Sequence, residues 1–265
     1  RGINTDAIGK LAAEQKIRAV YVTPHHQYPT TVALSAGRRI ELLALAVRHR
    51  FAVIEDDYDH EFHYDGRPIL PVASADRAGV VIYVGTLSKV LAPGLRIGYV
   101  VAPAPLLERL ATLRASVDRQ GDLPVEAAVA ELLEDGEVQR HIRRARRVYE
   151  ERRDLLVELL TSSLGSALAF ESPAGGTALW AKVDTAIDVD AWYERGLVSG
   201  VAFQPARMFA LDGRSKNHAR FGFAQLDAGE LKEAVKRLAS ALKPTKRRCS
   251  FAPCRFRETH GRLCA

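Results

Sequence analysis

Followed as a string of apolar and polar positions, the chain changes period partway along. Residues 17–23 (IRAVYVT) alternate and are rich in β-branched types, which predicts a strand ending at a turn through Pro24 and Pro29. A helical period follows over Gly37–Arg50, with Ser35 as its N-cap and Ile40, Leu43, Ala44 and Val47 on one face. Phe51–Glu55, Val80–Val84 and Ile97–Val101 are short apolar runs separated by helical or loop sequence. Such spacing predicts an α/β architecture with a mainly parallel sheet covered on both faces.

Beyond Pro103 the period turns helical over Pro105–Val117, Pro124–Leu133 and Glu137–Leu160. Short alternating segments follow at Ala178–Val183, Val198–Phe203 and His218–Phe223, with helices near Asp188–Arg195 and Asp227–Leu242. This second pattern predicts a smaller α+β domain. The boundaries read from it are 1–136, 137–243 and a tail over 244–265. The arginines at 140, 143, 144, 146, 147, 152 and 153 are interleaved with Glu150, Glu151 and Asp154, so they read as a solvated helix face rather than a nucleic-acid surface.

Composition narrows the picture. With 47% hydrophobic residues among 265, the chain has material for a core, and intrinsic disorder of the whole is excluded. No apolar run approaches the ~18 residues of a membrane span, so no membrane partner is expected. The net charge of +6 divides unevenly: six basic residues and one acidic residue fall between Pro244 and Ala265, leaving about +1 for everything before it. The basic balance therefore does not argue for nucleic-acid binding by the body. All three cysteines lie in the tail, which points to a reducing, cytoplasmic setting. Cys249, Cys254, His260 and Cys264 match no common zinc spacing, so no metal site is expected and the tail reads as a disordered basic extension. Met208 is the only methionine and Arg1 is not an initiator, so the chain reads as beginning inside something longer.

Three clusters could carry chemistry. Glu55-Asp56-Asp57-Tyr58-Asp59 follows a buried strand, where open α/β sheets place their ligand crevices. Adjacent carboxylates repel unless a cation or protonated partner is present, and the alternative reading is a polar turn. Gly85-Thr86-Leu87-Ser88-Lys89 follows the next strand and leads through Pro93-Gly94-Leu95-Arg96 into another. A buried lysine there would lose its ammonium proton more readily and become a nucleophile toward carbonyls, while the hydroxyls and the arginine fork suit a phosphate. A Ser-x-x-Lys acyl-enzyme motif fails because position 86 is Thr, and the glycines of a Walker A loop are absent. The alternative is a surface lysine in a loop. Arg220, within the apolar strand His218–Phe223, faces solvent, a carboxylate partner or a ligand carboxylate.

TPHHQYPT, IEDDYDHEF and GTLSKVLAPGLRIGYV, in that order, resemble fold-type I, pyridoxal-phosphate-dependent aminotransferases of class I/II. Most similar is the aminotransferase-like half of MocR/GabR-type transcription regulators of the GntR family, over about residues 15–242. The resemblance implies a partial large domain plus a small domain, with pyridoxal 5'-phosphate as cofactor. It implies that Lys89 forms the internal aldimine, Asp56 pairs with the pyridinium nitrogen, and Tyr58 bonds the ring's phenolic oxygen. Thr86 and Arg96 would hold the phosphate, and Arg220 would clamp a substrate or effector carboxylate. It further implies a homodimer binding a small amino compound, with DNA contacted only through an N-terminal winged-helix segment outside this chain.

Two departures qualify it. Class I enzymes carry Asn-Pro-Thr-Gly where this chain reads Tyr28-Pro29-Thr30-Thr31, leaving Gln27 or His26 as substitutes for the asparagine, which the regulators also lack. The phosphate loop and the ring-stacking aromatic, which the resemblance places in the first part of the large domain, are not found in this sequence. The expected function is an effector-sensing module; the alternatives are a working aminotransferase converting amino acids to keto acids and an inactive remnant.

Overall fold

A computed structural model describes residues 2–66, 69–211 and 217–242. Helix α1 (Thr5–Glu14) leads into β1 (Ala19–Val22), α2 (Ala36–His49), β2 (Ala52–Asp57), β3 (Val81–Thr86) and β4 (Gly98–Val101). These strands form one sheet in the order β1-β2-β3-β4; β1, β2 and β3 are parallel and β4 returns antiparallel to β3. Helices α3 (Ala104–Val117), α4 (Leu123–Glu134) and α5 (Glu137–Leu164) follow. The α+β part adds β5 (Leu168–Ala169), β6 (Ala178–Val183), α6 (Val189–Val198), β7 (Gln204–Pro205), β8 (His218–Gly222) and α7 (Ala228–Leu242), with sheet order β5-β6-β8-β7.

The period of two sorts the first sheet into unlike faces. Val22, Val53, Glu55, Asp57, Val81 and Tyr83 are buried on one face. Tyr21, Ile54, Asp56, Ile82, Val84 and Thr86 lie on the other, and every one is half-buried or exposed. The expectation of a sheet covered on both faces is thus met on one face only among the described residues. The surfaces beyond it agree: α3 buries no residue, and all four residues of β4 are exposed.

Two sequence expectations are corrected. In α2, Ile40 is 67% and Val47 50% exposed, and the buried positions are Arg39, Leu42 and Ala46. Arg39 turns inward because its guanidinium donates to the carbonyls of Leu34, Leu70 and Pro24 at 2.7–2.8 Å, so it pins three loop segments. Ser35 does stand at the N-cap position, but its side chain makes no capping hydrogen bond. Val198–Phe203 is not a strand: Val198 ends α6, Gly200 turns at a φ of +73°, and pairing resumes only at Gln204.

Two apolar cores result. Leu42, Ala46, Phe51, Val53, Val72 and Val81 form the first. The second gathers Leu156, Leu160 and Leu164 of α5, Leu179 and Val183 of β6, Trp192 and Leu231, and it takes in Phe62 and Tyr64 from the first half of the chain. Trp192 is fully buried, and its indole N–H donates to the Leu238 carbonyl at 3.0 Å. Trp192→Phe removes that donor and leaves a void; the expected loss is about 1–3 kcal/mol, measured by chemical unfolding, and an unchanged midpoint would contradict this packing. The arginine-rich α5 is largely solvated as expected; the exception is Arg153, buried 3.1 Å from Asp65 and 2.8 Å from Asp154, with its guanidinium over the Tyr64 ring. No helix of the described residues is long and apolar enough to cross a membrane. The tail, with its Cys/His spacing, lies outside the described residues.

Candidate cofactor site

Strand alternation gives each member of the Glu55–Asp59 run a different neighbour. Glu55, fully buried, accepts from the backbone N–H of Val72 at 2.7 Å and of Ala73 at 2.8 Å. Burial raises its pKa and these N–H groups offset that only in part. Asp57 accepts from the Tyr83 hydroxyl at 2.8 Å and faces His25 Nδ1 at 3.0 Å and His60 Nδ1 at 3.1 Å. Burial works against its charge, but the two imidazoles outweigh it and hold the carboxyl well below the usual range. Asp59 pairs with His26 Nδ1 at 2.7 Å, both side chains buried. Three histidines, two of them from the loop after β1, thus face the crowded carboxylates.

Asp56 is different. It lies on the half-covered face, and among the described residues its carboxylate accepts one hydrogen bond, from the Tyr21 hydroxyl to Oδ2. No cationic side chain among the described residues pairs with it. Tyr58 has a different partner: its hydroxyl donates to the His26 carbonyl at 2.8 Å, and burial pushes the phenol up.

Thr86 shares the face and the sheet end with Asp56, since Asp56 registers with Val84 on the adjacent strand. Its hydroxyl accepts from the Ser88 N–H at 3.1 Å, and the Leu87 N–H donates to the Ile97 carbonyl at 3.0 Å, closing the base of the loop. Lys89 and Arg96 are carried on this loop, with Arg96 in the left-handed region at a φ of +53°. Lys89 is exposed, so the burial expected to free its amine is not supplied by the described residues.

Arg220 comes from β8 and meets the first half of the chain. Its guanidinium sits 5.3 Å from the centroid of the Tyr28 ring and donates to Gln204 Oε1 at 3.0 Å. Its Nε is buried and has no hydrogen-bond partner among the described residues, and its charge lowers the Tyr58 phenol against the larger effect of burial. Arg220 and Tyr58 are thus brought together across the two halves. Gln27, read as a substitute for the asparagine, accepts from the Thr30 hydroxyl at 3.1 Å; His26 is held by Asp59. Arg207 is committed elsewhere, 2.7 Å from Asp190 and 3.5 Å from Glu194.

Sequence reading missed Tyr21, His25 and His60. Parity was the available signal for Tyr21, because an alternating strand at the register of β1 places it on the Asp56 face. Gly175, which the sequence offered only as a small-domain contact with no readable specificity, closes on the site from the second half: a Cβ there would lie 2.3 Å from His26 Nε2 and 2.6 Å from the Phe62 carbonyl. Gly175→Ala is expected to cost about 1–3 kcal/mol in an unfolding titration and to displace His26; an unperturbed His26 NMR signal would contradict this.

The profile of the family "Aminotransferase class I and II" matches residues 4–238. Aromatic-amino-acid aminotransferase 1 of Thermococcus litoralis is 32% identical over 247 residues, covering 91% of this chain and 59% of that protein. The probable rhizopine catabolism regulatory protein MocR of Rhizobium meliloti is 31% identical over 224 residues, covering 84% of this chain and 45% of that protein. Among solved structures, the multiple substrate aminotransferase of Thermococcus profundus superposes with a TM-score of 0.85 at 31% identity, covering 91% of this chain and 61% of that one. A Pyrococcus horikoshii kynurenine aminotransferase, solved in complex with PMP, gives 0.85 at 31%, covering 93% and 62%. The chain thus spans about half to three fifths of the length of these relatives. Matched over most of its length by that family, and built on the same mixed, mostly parallel sheet, the chain belongs to the aminotransferase class I and II family, with the fold-type I architecture of pyridoxal-phosphate-dependent transferases.

Proposed function

We propose that the chain is a pyridoxal-phosphate-binding, aminotransferase-like module that senses a small amino compound, as part of a cytoplasmic, dimeric regulator of the GntR/MocR type. One observation carries the cofactor reading: in the Glu55–Asp59 run, Asp56 alone has no cation, backbone N–H or imidazole paired with its carboxylate among the described residues. A carboxylate at a sheet end, offered only a neutral phenol, suits a protonated pyridine nitrogen. Arg220 Nε, buried and unpartnered, supplies a second fit, to a ligand carboxylate.

When bound, the cofactor supplies a carbonyl for capture of amines and a ring that draws electrons from them. Lys89 offers the amine that holds it, with Thr86 and Arg96 on the same loop placed to take its phosphate. Tyr58, now donating to the His26 carbonyl, is the phenol available to its ring oxygen. Residues to 136 carry the cofactor groups, and the unit from 137 to 243 brings Arg220. Any DNA contact belongs to a winged-helix segment outside these residues.

Borohydride reduction of the chain mixed with pyridoxal phosphate, followed by peptide mass mapping, tests the reading. A single adduct on Lys89 is expected; none, or scattered labelling of lysines, overturns it. Keto-acid formation from amino donors at ordinary enzyme rates would instead favour the aminotransferase reading, to which T. litoralis aminotransferase 1 is as similar as the regulators.

A further inference from the structure

We propose that Tyr21 is the positioning residue for Asp56, and that its hydroxyl keeps the proton shared with a bound pyridine ring on the ring nitrogen. This deepens, and rests on, the cofactor reading above.

The placement follows from register. Tyr21 pairs with Ile54, and Asp56 lies one pleat further along the neighbouring strand on the same face, so the phenol spans the diagonal to reach it. The hydroxyl donates to Oδ2. No donor among the described residues reaches Oδ1, so one carboxylate oxygen is held and the other is left for an incoming group. Burial and then Asp56 push the Tyr21 phenol up, which keeps it a donor across the ordinary pH range.

A hydrogen bond donated to a carboxylate stabilises its charge and weakens its pull on a further proton. With Tyr21 donating, the proton between Asp56 and a pyridine nitrogen rests on the nitrogen, where it makes the ring electron-poor. Without the hydroxyl, Asp56 becomes the stronger base and draws that proton toward itself. No bond is made or broken beyond this transfer. Tyr21 contributes little packing, since it is 58% exposed, so the hydroxyl's effect is separable from a structural one.

The experiment uses the whole chain as wild type, Tyr21→Phe and Asp56→Asn, each loaded with pyridoxal phosphate carrying 15N in the ring and observed by 15N NMR, with thermal unfolding alongside. The Tyr21→Phe signal is expected to move from the protonated toward the neutral-pyridine position, between wild type and Asp56→Asn, with the unfolding midpoint unchanged. A ring signal in Tyr21→Phe identical to wild type overturns the proposal while the cofactor reading stands. A shift that appears only with a matching fall in unfolding midpoint also overturns it, since the hydroxyl would then act on folding. No uptake of cofactor by the wild-type chain overturns the cofactor reading and this proposal together.

Discussion

A chain carrying Lys89→Ala is expected to form no borohydride-stable adduct with pyridoxal phosphate, while its unfolding midpoint stays at the wild-type value. The two halves of this expectation have separate physical grounds. Only a primary amine can capture the cofactor's carbonyl, and the loop from Leu87 to Ile97 presents just one. The same side chain is exposed and packs into neither core, so its removal leaves the fold alone. Absorbance titration with pyridoxal phosphate, followed by reduction and mass mapping, checks the first half. A persisting adduct elsewhere would show that another lysine does the work.

Asp57→Leu is expected to have the largest effect on stability. The carboxylate is buried and satisfies the Tyr83 hydroxyl while facing His25 and His60. Removing it takes the acceptor from the buried Tyr83 and His25 and from the half-buried His60, and breaking a buried pair from one side typically costs about 3–5 kcal/mol. The pH dependence has a defined sign. Asp57 in the fold sits below the ~3.9 of an unfolded aspartate, so its contribution is complete above about pH 4 and fades as pH falls further. His60 sits above the ~6.5 of free histidine, because the nearby Asp57 and Glu61 outweigh its burial. Its share is complete below about pH 6.5 and is lost as pH rises through the elevated value. The gap between wild type and Asp57→Leu in urea titrations should therefore be widest from about pH 4 to 6.5. A gap that stays constant from pH 3 to 8 would show that lost packing, and not charge, sets it.

The main elements were legible along the chain because they rest on local period. Ala178–Val183 appears as read, and β2 and β3 begin one residue and end two residues beyond the apolar runs that announced them. The face of α2 was misread because Ile40 and Val47 are apolar, whereas the deciding contact is long-range: Arg39 turns inward for three carbonyls supplied by loops elsewhere. The strand read at Val198–Phe203 failed for a related reason, since strand pairing needs a partner and β8 offers one only from Gln204 onward.

The order of the motifs marked Asp56, Tyr58, Thr86, Lys89 and Arg96 and was sufficient to indicate the family, while Arg220 stood out as an arginine within an apolar strand. What those residues touch is another matter. Sequence shows five polar residues in a row after an apolar strand, and only the tertiary structure sorts them, giving His25 and His60 to Asp57, His26 to Asp59, two backbone N–H groups to Glu55 and a lone phenol to Asp56. The physical reason is that propensity and side-chain period act over a few residues, so composition and spacing carry them. The charge state and availability of a carboxylate depend on burial and on partners, several of them more than 30 positions away, that only the folded chain brings together.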